Sequence, residues 1–115
     1  MNLTNANLPG DPLAFIKECI VSGQIRWTYH ASMRLRQRSL TRKTLFDAES
    51  TLEIIDAYPA DKYLPSFLVR GESPEFIFHA QIATDVEGSN IRVVTMYLPD
   101  PEEWDNGRRT RRIKQ

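Results

Sequence analysis

The sequence predicts a single α+β domain in which N-terminal helices precede a four-stranded, mostly antiparallel sheet. Two observations predict this class. Helix start signals and apolar residues at helical spacing recur up to about residue 53, and beyond it the apolar period changes to two, with Pro and Gly in the breaks. The chain has 115 residues, which is enough for one core of modest size. Helices and strands in separate runs are typical of α+β domains.

The first helix is expected to follow a loose leader, residues 1–10, which shows no periodicity. Asp11 can cap the free amides of a helix, and Pro12 suits the first helical position. The helix should run to about Ser22 and stop at Gly23, since glycine commonly ends helices.

Two further threonines are candidate helix caps. Thr28 would open a helix over Tyr29–Arg38, and Thr41 would open one that runs to about Glu53. The residues of this last helix expected to face the core are Leu45, Ala48 and Leu52.

Four segments rich in β-branched and aromatic residues predict the strands of the sheet. They are Ile54–Tyr58, Ser66–Arg70, Glu75–Thr84 and Asn90–Leu98, and Glu87-Gly88-Ser89 is expected to form a hairpin turn.

The ends of the last two strands carry polar residues of interest. Alternation places His79 on the less apolar face of its strand, and places Tyr97 on the same face as Val93 and Thr95. Asp100 is expected to cap one further helical turn.

The composition, with 41% apolar and 26% charged residues, is that of an ordinary globular protein. No apolar run has the length of a membrane span, and residues 1–10 lack the features of a signal peptide, so a cytoplasmic protein is expected. Cys19 is the only cysteine, which excludes an internal disulfide and favours a buried structural thiol. Residues 11–107 are predicted to form the domain, and residues 108–115 a mobile basic tail.

Basic residues are concentrated in two blocks at opposite ends of the chain. Eleven of the fifteen Lys and Arg residues lie in Arg26–Lys43 and Arg108–Lys114, and neither block contains an acid. Residues 44–106 hold thirteen acids against three bases, so a net charge of zero conceals a dipolar sequence. If the fold brings the two blocks together, their cationic surface predicts RNA as the partner.

The second predicted helix carries a stripe of cationic side chains. At about 100° per residue, His30, Arg34 and Arg38 lie at roughly 0°, 40° and 80° on the helix, while Arg36 points away from them. Such a stripe is often an ordinary solvated face. Here no acid lies four residues away to offset the charge, which favours a bound phosphate.

A helix-turn-helix DNA-binding motif is an alternative interpretation, because two helices meet at Ser39-Leu40. Its second helix would enter the major groove of DNA. That helix carries Asp47, Glu49 and Glu53, whose negative charge would repel DNA.

His30 and His79 are the only side chains able to change charge near neutral pH without help, so acid-base chemistry is expected to use one or both. A structural hydrogen bond explains a strand histidine such as His79 equally well. Two distant histidines without a cysteine pair do not match a zinc site, and no metal or cofactor is predicted. Tyr97 could reach a reaction centre or simply end its strand, and Trp104 could stack on a base or seal the core.

These residues occur in an order that resembles the family called domain of unknown function 4258 (DUF4258). The resemblance covers about residues 28–112, and its most specific part is the pattern T-x-Y-x-P-D-x-x-x-W from Thr95 to Trp104. The matching segments are Tyr29-His30-Ala31 with Arg34 and Arg38, Ile55–Lys62, Pro65, Phe67–Val69, His79, Val94–Trp104 and Arg111-Arg112. The sequence departs from the family pattern at Leu98, where a basic residue is usual, and at Phe76–Phe78, where a Pro-Leu pair usually precedes the histidine.

The resemblance implies a small bacterial protein encoded beside a zinc-finger or helix-turn-helix antitoxin, with a plan similar to that of RelE-type and barnase-type ribonuclease toxins. We therefore expect a metal-independent endoribonuclease, the toxin of a toxin–antitoxin pair, with RNA and an antitoxin protein as partners. The ribose 2′-hydroxyl would be the nucleophile, so the protein need only move protons and neutralise the phosphorane.

Roles can be assigned to individual residues on this hypothesis. His30 would be general base or acid, and His79 or Tyr97 its complementary partner. The residues expected to clamp the scissile phosphate are Arg34, Arg38 and Arg112, and those expected to add RNA contacts are Arg36, Arg42, Lys43, Trp104, Arg108, Arg109 and Arg111. The alternative is a non-catalytic module that uses the same surface to bind RNA, DNA or an acidic protein.

Overall fold

The computed structural model describes residues 8–38 and 40–113, and it confirms the α+β class. The elements, in chain order, are α1 Pro12–Ser22, β1 Ile25–Trp27, α2 Tyr29–Arg38, α3 Arg42–Asp47, a 3₁₀ turn Glu49–Thr51, β2 Glu53–Tyr58, β3 Ser66–Glu72, β4 Ile77–Asp85 and β5 Asn90–Tyr97. Residues 1–7 of the predicted leader, as well as Ser39, Lys114 and Gln115, lie outside the described residues.

Local signals set both ends of α1 and the start of α2, as predicted. The carboxylate of Asp11 accepts a hydrogen bond from the amide of Ala14 at 3.1 Å, and Gly23 ends α1 in the left-handed conformation with φ 75°. The hydroxyl of Thr28 accepts from the amide of Ala31 at 3.1 Å and so caps α2.

The third helix is shorter than predicted. It was expected to reach Glu53, but α3 ends at Asp47 and β2 already begins at Glu53. Thr51 gives a physical reason, because its hydroxyl donates to the carbonyl of Ala48 at 2.8 Å and to that of Glu72 on β3 at 3.0 Å. Such side-chain bonds to the backbone compete with continued helix and tie the turn to the sheet.

The sheet has five strands rather than the four predicted, in the order β1-β5-β4-β3-β2. The additional strand is β1, which pairs in parallel with β5 from Ile25 opposite Ile91 to Trp27 opposite Val93. All other pairs are antiparallel. Three residues whose partner strand lies far along the chain leave no periodic signal in the sequence, which is why β1 was missed.

The helices cover one face of the sheet. The main core lies between them and includes Ile16, Ile20, Leu35, Leu45, Phe67, Val69, Phe78, Ala80, Ile82, Ile91, Val93 and Met96. The opposite face, called the outer face below, carries the alternate strand residues.

Strand register arranges the outer face in three rows that cross β3, β4 and β5. The first row is Arg70-His79-Tyr97, the second Leu68-Gln81-Thr95, and the third Ser66-Ala83-Arg92. Neighbouring rows are two residues apart along a strand, or about 7 Å. The rows therefore give each outer-face residue a position relative to the others.

A β-bulge at Val94 determines which residues of β5 reach the outer face. Gln81 pairs with Thr95 but Ile82 pairs with Val93, so Val94 is an extra residue. The prediction that Tyr97 shares a face with Val93 is therefore wrong: Val93 lies in the core, and Tyr97 lies on the outer face. The prediction assumed strict alternation of side chains along β5, and no pattern in the sequence indicates the bulge that interrupts it.

The chain beyond β5 folds back over the first row. The amides of Glu103 and Trp104 donate to the carbonyl of Asp100, both at 3.0 Å, and close the turn expected after β5. Trp104 then pairs with Arg111 in an isolated bridge. We call residues 104–112 the C-terminal segment. Within the described residues, no helix has the length and apolar character needed to cross a membrane.

Candidate functional site

A cleft of about 460 Å³ opens where the end of α2, the end of β5 and the C-terminal segment meet. The residues that line it are Arg38, Tyr97, Leu98, Asp100, Glu103, Trp104 and Arg111. Arg38 comes from the first basic block and Arg111 from the second. Opposite ends of the sequence thus contribute one cationic side chain each to this cavity, so the condition that the sequence left open is met for Arg38 and Arg111.

Arg38 is held against the edge of β5. Its Nη1 donates to the carbonyl of Met96 at 2.8 Å and approaches the hydroxyl of Thr95 at 3.4 Å, and its guanidinium carbon lies 5.9 Å from the centre of the Tyr97 ring. A charge-assisted hydrogen bond to a carbonyl fixes the guanidinium more firmly than solvent would. The cleft therefore holds one preoriented arginine at its rim.

His79 lies beneath the cleft, completely buried, with both ring nitrogens engaged. Its Nε2 is 2.7 Å from the carbonyl oxygen of Arg108, and because a carbonyl can only accept, Nε2 carries the proton. Burial lowers the pKa of His79, a shift that the nearby Arg70 and Arg111 reinforce and the bond to Arg108 opposes. His79 is therefore neutral at pH 7, with an unprotonated Nδ1.

The hydroxyl of Tyr97 completes this arrangement. It lies 3.3 Å from Nδ1 of His79, and since Nδ1 is unprotonated the hydroxyl is the donor. Burial raises the pKa of Tyr97, while Arg111 and Arg38 oppose the rise and Glu103 adds to it. Tyr97 thus keeps its proton at neutral pH, at the wall of a cleft that also holds two arginines.

Trp104 closes the first row from above. It is 5% exposed, and its ring meets that of His79 edge to face at a centroid distance of 4.5 Å. The guanidinium of Arg111 lies 4.7 Å from the centre of the Trp104 ring. Of the two interpretations of Trp104, the geometry supports the one in which it seals the core. A ring that is buried and stacked by Arg111 presents little surface to a base.

Arg70 anchors the C-terminal segment to β3. It is 3% exposed, and its Nε donates to the carbonyl of Gly107 at 2.6 Å while Nη1 contacts the carboxylate of Glu53 at 3.1 Å. Glu53 also accepts from Nε of Arg109 at 2.7 Å. The first row is thus tied to the segment by Arg70 and by His79, and each bond ends on a main-chain carbonyl.

The structure does not bring all the predicted catalytic residues together. His30 and Arg34 are exposed on the earlier turns of α2 and do not line the cleft. Arg34 instead contacts Gln37, at 3.4 Å. Arg112 is exposed and donates to the carbonyl of Pro101 at 2.9 Å, outside the cleft lining. Arg38 and Tyr97 are the two predicted catalytic residues at its wall.

The predicted RNA-contact residues occupy several sites. Arg36 is exposed, Arg42 lies over the Trp27 ring with 5.3 Å to its centroid, and Lys43 pairs with Asp47 at 2.5 Å. Arg108 and Arg109 belong to the C-terminal segment, as does Arg111. Residues 108–112, assigned from sequence to a mobile tail, carry main-chain hydrogen bonds to the rest of the domain, including one from the amide of Arg112 to the carbonyl of Glu103 at 2.8 Å.

Sequence reasoning missed three of the residues that line the cleft. These are Leu98, Asp100 and Glu103. Asp100 accepts from the amide of Glu102 at 2.8 Å and so stabilises the turn, whereas the carboxylate of Glu103 makes no ion pair within the described part of the chain. The predicted cap at Asp100 was a usable signal, because a turn that starts there brings residues 103 and 104 back toward the end of β5.

Among residues 8–38 and 40–113, no group of three or more His, Cys, Asp or Glu side chains is placed to hold a metal ion. The cleft itself presents two guanidiniums, a neutral tyrosine hydrogen-bonded to a neutral histidine, and the carboxylates of Asp100 and Glu103. Such a set can bind an anionic oxygen and exchange protons next to it.

Comparison with known proteins gives a match to one family model, and the matched residues include Tyr97 and Asp100 of this cleft. No curated protein and no solved structure shows significant similarity to the chain. The family model for a domain of unknown function, DUF4258, matches residues 27–101, from the end of β1 to the first residues of the turn that begins at Asp100. Since this match spans well over half of the chain, the protein belongs to the DUF4258 family.

Proposed function

We propose that this protein is a metal-independent endoribonuclease, the toxin of a bacterial toxin–antitoxin pair, and that it cleaves RNA in the cleft between Arg38, Tyr97 and Arg111. The observation that carries the proposal is the convergence of two arginines, from opposite ends of the sequence, on a tyrosine that is held by a buried histidine. Guanidiniums bind phosphate oxygens through paired hydrogen bonds and keep their charge at any physiological pH.

The two remaining requirements of the reaction are a base and an acid. Glu103 lines the cleft without an ion-pair partner in the described chain, and it would take the proton of the ribose 2′-hydroxyl. An unpaired carboxylate beside a phosphate site would otherwise only repel the ligand, so a role as base accounts for its place. The 2′-oxygen then attacks phosphorus.

Tyr97 would supply the second proton. Its raised pKa keeps the hydroxyl protonated, and this hydroxyl turns from Nδ1 of His79 to the departing 5′-oxygen as the bond from phosphorus to that oxygen breaks. The products are a 2′,3′-cyclic phosphate and a free 5′-hydroxyl. Solvent then returns a proton to Tyr97 and removes one from Glu103. His79 acts as a positioning residue, because its contact is with Tyr97 rather than with substrate.

The test is cleavage of a labelled single-stranded RNA in the presence of EDTA. We expect Arg38→Ala to lower the rate about a hundredfold or more, as is typical when one group that stabilises a transition-state charge is removed. Arg34→Ala is the matched control, since it removes the same side chain one helical turn earlier and outside the cleft. Tyr97→Phe and Glu103→Gln should lower the rate comparably, and products should carry 2′,3′-cyclic phosphate ends.

Two outcomes contradict the proposal. Equal loss in Arg34→Ala and Arg38→Ala would remove the cleft as the site of reaction. Binding of RNA without cleavage in every sample would instead support the second candidate function, a non-catalytic nucleic-acid-binding module. One observation favours that candidate: among the described residues neither histidine lines the cleft, so the usual proton carrier at neutral pH is missing from its wall.

An antitoxin protein encoded by a neighbouring gene and a cytoplasmic location are part of the same proposal, since the substrate is cellular RNA and its cleavage must be held in check. So is a fold relationship to RelE-type and barnase-type toxins, supported by the three helices that precede the antiparallel strands β2, β3, β4 and β5. Copurification of the protein with the product of the adjacent reading frame, and loss of cleavage in that complex, would test the partnership.

A further inference from the structure

A second cavity, of about 260 Å³, lies over the third row of the outer face. Strand residues Gln81, Ala83 and Arg92 form its floor, and the loop between β2 and β3 forms a wall with Tyr63 and Leu64. It is separate from the cleft, but the two cavities open on the same face of the same sheet.

The polar groups of this cavity are partly ordered and partly unused. Nε2 of Gln81 donates to the hydroxyl of Ser66 at 2.9 Å, and that hydroxyl donates to the carboxylate of Asp61 at 2.8 Å. These two hydrogen bonds fix the orientation of the Gln81 side-chain amide, and no described residue donates to its Oε1. Gln81 thus offers an acceptor, and one further N–H, in a set orientation.

Arg92 provides an unpaired donor. Its Nη2 approaches the carboxylate of Asp85 at 3.4 Å, but Nε is buried and has no acceptor in the part of the chain that the structure describes. Nε itself is shielded from the cavity, but the side chain is 42% exposed, so the outer N–H groups of the guanidinium can donate to an acceptor that a ligand brings to the cavity wall.

Tyr63 presents an aromatic ring beside these groups. It is 82% exposed, and Nζ of Lys62 lies 5.2 Å from its ring centre. A ring left this open gains nothing from burial in the free protein, whereas it offers a face on which a planar ligand can stack. Lys62 adds positive charge at the same place.

We infer that this cavity binds one nucleobase of the RNA strand whose scissile phosphate occupies the cleft. A base has two apolar faces, suited to Tyr63, and an edge of donors and acceptors, suited to Gln81 and Arg92. The second row, with Gln81, is about 7 Å from the first and the third row about 13 Å, so a neighbouring nucleotide can reach the cavity. The inference rests on the proposed function and adds a base-binding subsite to it.

Nuclear magnetic resonance titrations with two kinds of probe separate the subsite from the cleft. The full-length protein is titrated with the four ribonucleosides, which carry no phosphate, and separately with inorganic phosphate. We expect at least one nucleoside to shift the side-chain amide of Gln81 and the Nε–H signal of Arg92. Phosphate should shift the Nε–H signals of Arg38 and Arg111 instead.

Tyr63→Ala and Tyr29→Ala form a matched pair, because both tyrosines are 82% exposed and only Tyr63 lines the cavity. Tyr63→Ala should weaken nucleoside binding roughly tenfold, the scale of one base–aromatic stack, and leave the phosphate response unchanged. Tyr29→Ala should change neither response.

The outcomes distinguish this inference from the proposed function. If phosphate shifts Arg38 and Arg111 but no nucleoside shifts Gln81 or Arg92, the subsite is overturned and the phosphate cleft stands. If nucleosides bind with the expected dependence on Tyr63 but phosphate leaves Arg38 and Arg111 unmoved, the subsite is supported and the catalytic cleft loses its basis. Equal weakening by Tyr29→Ala and Tyr63→Ala overturns the subsite.

Discussion

The first and third rows of the outer face lie on the same three strands, yet they differ in how their polar groups are held. In the first row, Arg70 and His79 donate to main-chain carbonyls of the C-terminal segment at 2.6 and 2.7 Å. In the third row, Ser66 bonds only to neighbouring side chains, and Nε of Arg92 has no acceptor within the described residues. The first row is covered by the C-terminal segment, whereas the third row lies beside the second cavity, with Ser66 and Ala83 buried and Arg92 partly exposed.

This difference teaches that the sheet alone does not make the candidate site. Strand alternation brings arginine to both rows, but only the C-terminal segment buries Arg70 and His79 and completes a cleft with Arg111. The proposed chemistry therefore requires that the C-terminal segment packs stably on the first row. Substitutions in the first row should cost more stability than equivalent ones in the third.

The largest loss of unfolding free energy is expected from Trp104→Ala. Truncating an aromatic residue that is 5% exposed typically costs about 3–5 kcal/mol of unfolding free energy, because its contacts with His79 and the strands are lost. Tyr63→Ala, in the loop beside the third row, should stay within about 0.5 kcal/mol of the wild type because the side chain is exposed. Chemical denaturation of both variants measures the difference, and similar losses would contradict the contrast between the rows.

The next largest loss of unfolding free energy is expected from Arg70→Met. The change keeps much of the side-chain volume but removes the bond to Gly107 and the ion pair with Glu53, for a loss of about 1.5–3 kcal/mol. Arg92→Met is the control at the third row, where the arginine is 42% exposed and its pair with Asp85 is worth about 1 kcal/mol at most. Equal midpoints of denaturation for the two variants would show that the segment is anchored elsewhere.

The pH dependence of stability should report His79. Its pKa is lowered in the folded protein, so below about pH 6.5, the ordinary value for histidine, the unfolded chain binds a proton that the folded one does not. Stability is therefore full above that pH and falls as the pH drops toward the folded pKa, by up to about 1.4 kcal/mol per pH unit. Thermal unfolding from pH 7.5 to 5 measures this slope.

A substitution at position 79 separates this contribution from that of the carboxylates. His79→Gln removes the titrating ring while keeping a donor and an acceptor, so the part of the slope due to His79 should disappear. A variant with the wild-type slope would refute the assignment to His79.

The smallest effect is expected from removal of one hydroxyl. Tyr97→Phe loses the hydrogen bond to His79 and leaves Nδ1 without its donor, for about 1 kcal/mol. Tyr58→Phe is a matched change on β2, where the hydroxyl donates to the carboxylate of Asp56 at 2.9 Å on an exposed surface. It should cost less than about 0.5 kcal/mol. A larger loss at Tyr58 in urea denaturation would reverse the proposed order.

The helix ends could be predicted because their causes are local. Asp11, Gly23 and Thr28 act within a few residues of themselves, and α1 and α2 have the predicted bounds. The strand β1 and the bulge at Val94 depend on residues far along the chain, so neither leaves a pattern in its own segment. The shortened α3 likewise depends on the bond from Thr51 to Glu72, which lies on β3 more than twenty residues later.

The candidate site was partly predictable from helix geometry. Along the stripe, each step of four residues turns by about 40°, which brings Arg38 closest to the buried side of Ala31 and Leu35 and leaves His30 farthest from it. Arg38 therefore reaches β5 while His30 and Arg34 stay in solvent. For Glu103 the only local signal was the turn after Asp100, and its proximity to Tyr97 depends in addition on the path of the chain after Pro99.

The anchors of the C-terminal segment have a consequence for protein engineering. Arg70 and His79 bond to the main-chain carbonyls of Gly107 and Arg108, a group that every amino acid supplies. Side chains at positions 109 and 111 could then be exchanged in a library without loss of these two attachments, whereas position 108, with φ 59°, favours residues that adopt the left-handed conformation. The charge and shape of the C-terminal segment could therefore be varied by substitution while the sheet and its buried histidine remain unchanged.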